Sequence, residues 1–207
     1  SEVYGSAFAA GLYLKRRNFD RKALVVGMEG LVQELTDCGI RAERPVTGEN
    51  SVLGVGKIEL DPEVGAVVAG LDVNMSYWTL ANAALHLRYS PDCIFLATNK
   101  DAAYNGTDGR LYPAGGTMVS ALEYTSGRTA TIAGKPSTLM LDEIIDSRGV
   151  SRERTLMVGD RLDTDIEFGL AGDVHTLLVM TGVTDEKLLA ESTTRPHYVV
   201  GSFADLL

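Results

Sequence analysis

Short aliphatic, β-branched runs alternate with segments of helical period along almost the whole chain. "KALVVG" at 22–27 reads as a buried strand, and "EGLVQELTDCG" as the helix after it, closed by Gly39. "GAVVAGL" at 65–71 and "DCIFLATN" at 92–99 read as further strands. Between them "SYWTLANAALHLR" reads as a helix with Trp78, Ala81 and Leu85 on one face. "NKDAAYNGTDGRLYPAGG" at 99–116 has no period and reads as an unstructured polar loop. A helix from about Thr117 to Tyr124 follows it.

A second series then begins. Strand "TATIAG" leads to helix "STLMLDEIIDSRG", strand "TLMVGD", a helix through "TDIEFGLAGD", strand "HTLLVMTG", helix "DEKLLAE" and strand "HYVVGS". Helices between successive apolar strands imply an α/β fold of parallel sheets with right-handed crossovers. The two series suggest two α/β units meeting near Gly127 and Arg128, with "RRNFDRK" as the other crossing.

Composition narrows the function classes. With 207 residues and 45% hydrophobic content, the chain is long enough for a substantial core. Its net charge is −9 and no basic run is longer than "KRR" at 15–17. A nucleic-acid partner needs a positive stripe, and none is visible. The apolar runs are strand-sized, so no membrane span is expected. Cys38 and Cys93 stand apart without CxxC spacing, which fits inert thiols in a cytoplasmic protein. His86, His175 and His197 lack metal-ligand spacing and read as structural or surface residues. "VVGMEGLVQEL" has the outline of a nucleotide turn but lacks its glycine fingerprint.

The candidate chemistry lies in the second series. Asp160, Asp163 and Asp165 crowd into "VGDRLDTDI", where like charges repel, and a bound cation would make the cluster tolerable. Ligands of open parallel sheets sit at the carboxyl ends of strands. "TATIAG" runs into Lys135-Pro136-Ser137, with Pro136 placed for the first turn of the next helix, and "TLMVG" runs into Asp160. A lysine and a carboxylate at two strand tips suit phosphate and Mg²⁺, which accepts one or two carboxylates and keeps its waters. Asp165 could hold those waters. Taken singly, Lys135 reads as a solvated turn lysine, and Asp163 and Asp165 as helix-cap residues. The combination favours function.

"GKPS" at 134–137 and "VGDRLDTDI" at 158–166 resemble the lysine and acidic metal motifs of the haloacid dehalogenase superfamily. "MVGDRLDTDIEFGLAGD…TLLVMTGV" is similar to its p-nitrophenyl phosphatase branch, which includes 2-phosphoglycolate and pyridoxal phosphate phosphatases. The resemblance implies a partial Rossmann-like core with a large inserted α/β cap: residues 1–17 and 129–207 as core, 18–128 as cap. It implies a Mg²⁺-dependent phosphatase of small phosphorylated metabolites, working through an aspartyl-phosphate, with a homodimer contact through the cap. Lys135 would stabilise the transferring group, Asp160 would bind the metal, and Asp165 would support it. Tyr104 and its neighbour Asn105 would face the substrate from the cap loop. Relatives that accept pyridoxal phosphate carry histidine where Tyr104 stands, which argues against that substrate. The family's nucleophile and general acid belong to a DxDG motif, and no DxDG occurs in these 207 residues. The expectation is therefore a piece of a longer enzyme, inactive alone; the other reading is a non-catalytic binding or dimerisation module.

Overall fold

A computed structural model describes residues 2–45 and 58–206. Part of the expected cap, 46–57, thus lies outside the described residues. The chain divides into two compact units, residues 1–133 and 134–207.

The first unit holds a five-stranded parallel sheet. Its strands are β1 (Lys22–Val26), β2 (Arg41–Glu43), β3 (Val64–Ala69), β4 (Ile94–Ala97) and β7 (Thr131–Ile132), in the spatial order β2-β1-β3-β4-β7. β3 is buried along its whole length, as expected of a central strand covered on both faces. α1 (Ser6–Arg16) packs against α2 (Glu29–Asp37), which buries Leu31 and Leu35 one turn apart. Gly11 permits that approach, since a Cβ there would lie 2.5 Å from Cys38 Sγ. α3 (Tyr77–Tyr89) begins at Ser76, whose hydroxyl accepts from Thr79 N at 3.1 Å. It buries Thr79, Ala83, His86 and Leu87, while Trp78, Ala81 and Leu85 share a half-buried face. Small Ala83 lets the helix sit close to the sheet. Buried His86 is satisfied on both ring nitrogens, by Asn82 O at 2.9 Å and Asp61 N at 3.1 Å.

Two expectations fail in this unit. The polar loop contains a hairpin of β5 (Ala103–Asn105) and β6 (Leu111–Pro113), with Tyr104 opposite Tyr112 and their rings stacked at 5.9 Å. Gly109, at φ +77°, makes the turn that pattern alone did not reveal. "TATIAG" supplies β7 to this sheet instead of opening the second one. α4 (Gly115–Ser126) ends at left-handed Gly127, and the short return lays Thr131 beside Leu96 of β4.

The second unit has a three-stranded parallel sheet, ordered β10-β9-β8: β8 (Leu156–Gly159), β9 (His175–Val179) and β10 (Tyr198–Val200). α5 (Leu139–Arg148) starts two residues later than expected, after Thr138, so Pro136 precedes it instead of sitting in its first turn. α6 (Glu167–Ala171) is entered through a wide π turn over Leu162–Ile166, in which Ile166 N donates to Arg161 O. α7 (Glu186–Glu191) is capped by the Asp185 side chain. His175 and His197 come together, with their rings edge to face at 5.4 Å. No helix among the described residues is long and apolar enough to cross a membrane.

Candidate active site

β8 delivers Asp160 at its carboxyl end, and the following π turn folds Asp165 back beneath it. The wide turn matters because it carries Asp165 inward. Asp165 is only 5% exposed, and its Oδ2 accepts from the main-chain N–H of both Asp160 and Arg161, each at 3.2 Å. Its other oxygen, Oδ1, accepts from Lys135 Nζ at 2.6 Å. Gly159 makes room for this, since a Cβ there would lie 2.5 Å from Asp165 Oδ2. The structure therefore joins three residues expected at the site, Lys135, Asp160 and Asp165, around one buried carboxylate.

Asp163 takes no part in that arrangement. It points outward and pairs with the Arg161 guanidinium through two bonds, at 3.1 and 2.8 Å. The Arg161 hydrogen bonds hold its carboxyl below the usual aspartate range. Two of the three clustered charges thus have their own cationic partners within the chain, Arg161 and Lys135. A bound cation is not needed to reconcile them.

Asp160 differs. Its Oδ2 accepts from Val183 N at 2.7 Å, and its main-chain oxygen accepts from Thr184 N at 3.1 Å. Both partners are neutral, and Oδ1 accepts from no described residue. One carboxylate with one open oxygen at a strand tip fits Mg²⁺, a hard cation that keeps most of its waters. It does not fit zinc, which needs three or four protein ligands. No group of three or more His, Cys, Asp or Glu side chains is placed to hold a metal among the described residues.

The contribution of 182–184 was missed from sequence. It could have been inferred from adjacency: β9 pairs with β8, Leu178 opposite Gly159, so the residues after both strands must meet. Tyr104 and Asn105 lie in the first unit, on β5, with Tyr104 45% exposed.

A model of the HAD-hydrolase-like family matches residues 132–206, which contain this whole arrangement. Phosphoglycolate phosphatase 2 of Arabidopsis thaliana is 41% identical over 213 residues, covering 100% of this chain and 71% of that protein. This chain belongs to the haloacid dehalogenase-like phosphatases. They are phosphoric monoester hydrolases, as the acidic and lysine motifs led one to expect. Among solved structures, a glycerol phosphate phosphatase from Mycobacterium tuberculosis in complex with magnesium superposes with a TM-score of 0.81 at 32% identity. That match covers 97% of this chain and 56% of the other. A p-nitrophenyl phosphatase from Archaeoglobus fulgidus gives 0.77 at 25% identity, covering 97% and 72%. The phosphatase chain described here thus spans between about half and three quarters of these relatives.

Proposed function

We propose that this chain holds the phosphate and the Mg²⁺ of a phosphatase acting on small phosphomonoesters of the 2-phosphoglycolate and p-nitrophenyl phosphate type. The observation that carries the reading is the pairing of Lys135 with a carboxylate site whose single open oxygen is Asp160 Oδ1. Lys135 has three N–H donors, and Asp165 takes one of them. The remaining donors are free to meet phosphate oxygens, and the ammonium offsets the charge that builds on them. Asp165 orients both groups at once, holding Lys135 by its side chain and Asp160 by its main chain. Mg²⁺, when bound, supplies Lewis-acid polarisation of a phosphoryl oxygen.

No residue of this chain is assigned to attack phosphorus. In the proposed arrangement that role falls to a DxDG segment, which these 207 residues lack. Residues 18–128 are read as the cap and residues 1–17 and 129–207 as part of the core, with Tyr104 and Asn105 on the β5–β6 hairpin selecting the leaving group. A tyrosine at position 104 supports phosphoglycolate-like substrates over pyridoxal phosphate. The magnesium-bound relative supports the choice of metal. Exposed Tyr77, Tyr89 and Tyr124 support a homodimer through the first unit, since interface cores are rich in aromatic side chains. A cytoplasmic setting is consistent with two free thiols, one of them buried.

The test has two arms. The chain is expected to bind inorganic phosphate only with Mg²⁺ present, to lose that binding in Asp160→Asn and Lys135→Met, and to turn over neither p-nitrophenyl phosphate nor 2-phosphoglycolate. Phosphate binding indifferent to Mg²⁺ and to both substitutions would overturn the assignment of the site. Enzymatic turnover would show that the chain contains its own nucleophile.

A further inference from the structure

Asp160 is held on three sides. Its main-chain N–H donates to Asp165, its main-chain oxygen accepts from Thr184 N, and its Oδ2 accepts from Val183 N. Two of these three anchors come from one segment, residues 180–185, which leaves the end of β9 and crosses the tip of β8 before α7. Thr184 is itself buried, at 1% exposure, so the segment is anchored on its inner side.

We propose that Gly182 and Val183 are positioning residues for the metal carboxylate: they fix Asp160 so that Oδ1 alone faces the divalent cation. This rests on the reading of Asp160 as the metal ligand given above. The 2.7 Å bond from Val183 N occupies Oδ2 and stops the carboxylate from turning both oxygens toward a cation. A one-oxygen contact suits Mg²⁺, which prefers regular octahedral geometry with several retained waters. Gly182 allows that bond to form. A Cβ at Gly182 would overlap Asp160 Oδ2 and lie 2.5 Å from both Cβ and Cγ of Asp160. Among the described glycines those with positive φ are at 39, 109, 127 and 149, so the turn at 182 does not itself demand glycine. The close approach of the Asp160 carboxylate does. A side chain there has to displace either the segment or the carboxylate, and either movement breaks the Val183 bond.

Mn²⁺ serves as the probe, because its binding is read without any turnover. The 207-residue chain is titrated with Mn²⁺, followed by water-proton relaxation and by paramagnetic broadening of amide signals. The expected result is saturable binding that broadens the amides of residues 159–161 and 182–184 and is lost in Asp160→Asn. Gly182→Ala is expected to weaken it by at least about tenfold, the usual scale for groups that orient a metal ligand. Its melting temperature and first-unit amide spectrum should stay close to those of the unaltered chain. Val183→Pro removes the N–H without adding bulk at 182, should weaken binding similarly, and decides the question if Gly182→Ala does not fold. Gly30→Ala is the control, since a Cβ there meets nothing within 4 Å, and should bind as the unaltered chain does. If Asp160→Asn abolishes binding while Gly182→Ala and Val183→Pro leave it intact, the positioning role is overturned alone. If Asp160→Asn binds Mn²⁺ normally, the reading of Asp160 as the ligand fails, and the positioning role falls with it.

Discussion

The two sheets of this chain arise from the same alternation of strand and helix, yet different forces hold them. In the first unit, β1, β3 and β4 are buried almost end to end, and Leu24, Val26, Val67, Phe95 and Leu122 belong to one continuous apolar cluster. The carboxyl ends of β1 and β3 run into Gly27 and Gly70, which carry no side-chain chemistry. In the second unit Leu162, Ile166 and Leu178 form one buried apolar cluster, Met140, Leu141, Phe168, Val174 and Leu177 are also buried, and β8 and β10 are partly or fully exposed. There the strand tip is held by charge and hydrogen bonds centred on Asp165. A parallel sheet usually draws its stability from apolar cover on both faces. Within these 207 residues β8 and β10 have less of that cover, and polar contacts concentrate at the candidate site. On the proposed reading, folding and function therefore depend on largely separate residues in the first unit and on shared ones in the second.

The largest expected effects come from exchanging the type of damage between the units. Leu96, fully buried on β4, should lose about 2–5 kcal/mol when replaced by alanine, with chemical denaturation as the measurement. Asp165→Asn should cost about 1.5–3 kcal/mol, because it weakens a charge-assisted bond from Lys135 and two main-chain bonds in a buried position. Hydrogen exchange should assign the first loss to residues 22–132 and the second to residues 155–184. Equal spread of either loss over both units would erase the distinction.

A smaller effect belongs to the β5–β6 hairpin, the exposed appendage of the apolar unit. Tyr104→Ala removes the stack on Tyr112 and should cost about 0.5–1.5 kcal/mol locally. Faster amide exchange confined to residues 103–113 is the expected signature. Slowed exchange, or loss of the five-stranded sheet, would mean that the hairpin is no appendage.

The smallest effect concerns the acidic residue outside the inner network. Asp163 is paired with Arg161 in water, so Asp163→Asn should cost about 0–1 kcal/mol at neutral pH. Arg161 lowers the folded pKa of Asp163 below its unfolded value of about 3.9. Its stabilisation is therefore fully present above that value and is lost as pH falls through the folded pKa. Melting curves of the two proteins should differ slightly at pH 7 and converge as pH falls below about 4 and through the lower folded pKa, where the native carboxyl is protonated. A larger gap in acid than at neutrality would contradict the pairing.

How much was legible in the sequence follows the same division. Strand-sized apolar runs located β1, β3, β4, β8, β9 and β10, because burial imposes composition on a parallel strand. The same pattern could not say which sheet "TATIAG" joins, since partner choice depends on the short return after Gly127. The buried face of α3 was not legible because it carries His86 and Thr79, polar residues whose burial depends on partners: the His86 ring is satisfied by Asn82 and Asp61. At the candidate site, "GKPS" and "VGDRLDTDI" pointed to Lys135, Asp160 and Asp165, which the structure brings together, because their residue types advertise charge. Gly182 and Val183 act through space and a main-chain N–H, which no residue type announces. The hairpin around Tyr104 was hidden for the same reason: Gly109 and cross-strand aromatic stacking build it, with no alternation long enough to register.

Of the two units, the second is the one proposed to hold the metal and the phosphate. Amide chemical-shift mapping of the whole chain, titrated with Mg²⁺ and then inorganic phosphate, tests it most directly. Saturable shifts clustered at Lys135, Asp160, Arg161, Asp165 and Val183, with the Mg²⁺ response absent in Asp160→Asn, are the expected result. Shifts centred instead on the strand tips of the first unit, around Gly27, Gly70 and Asn99, would contradict it.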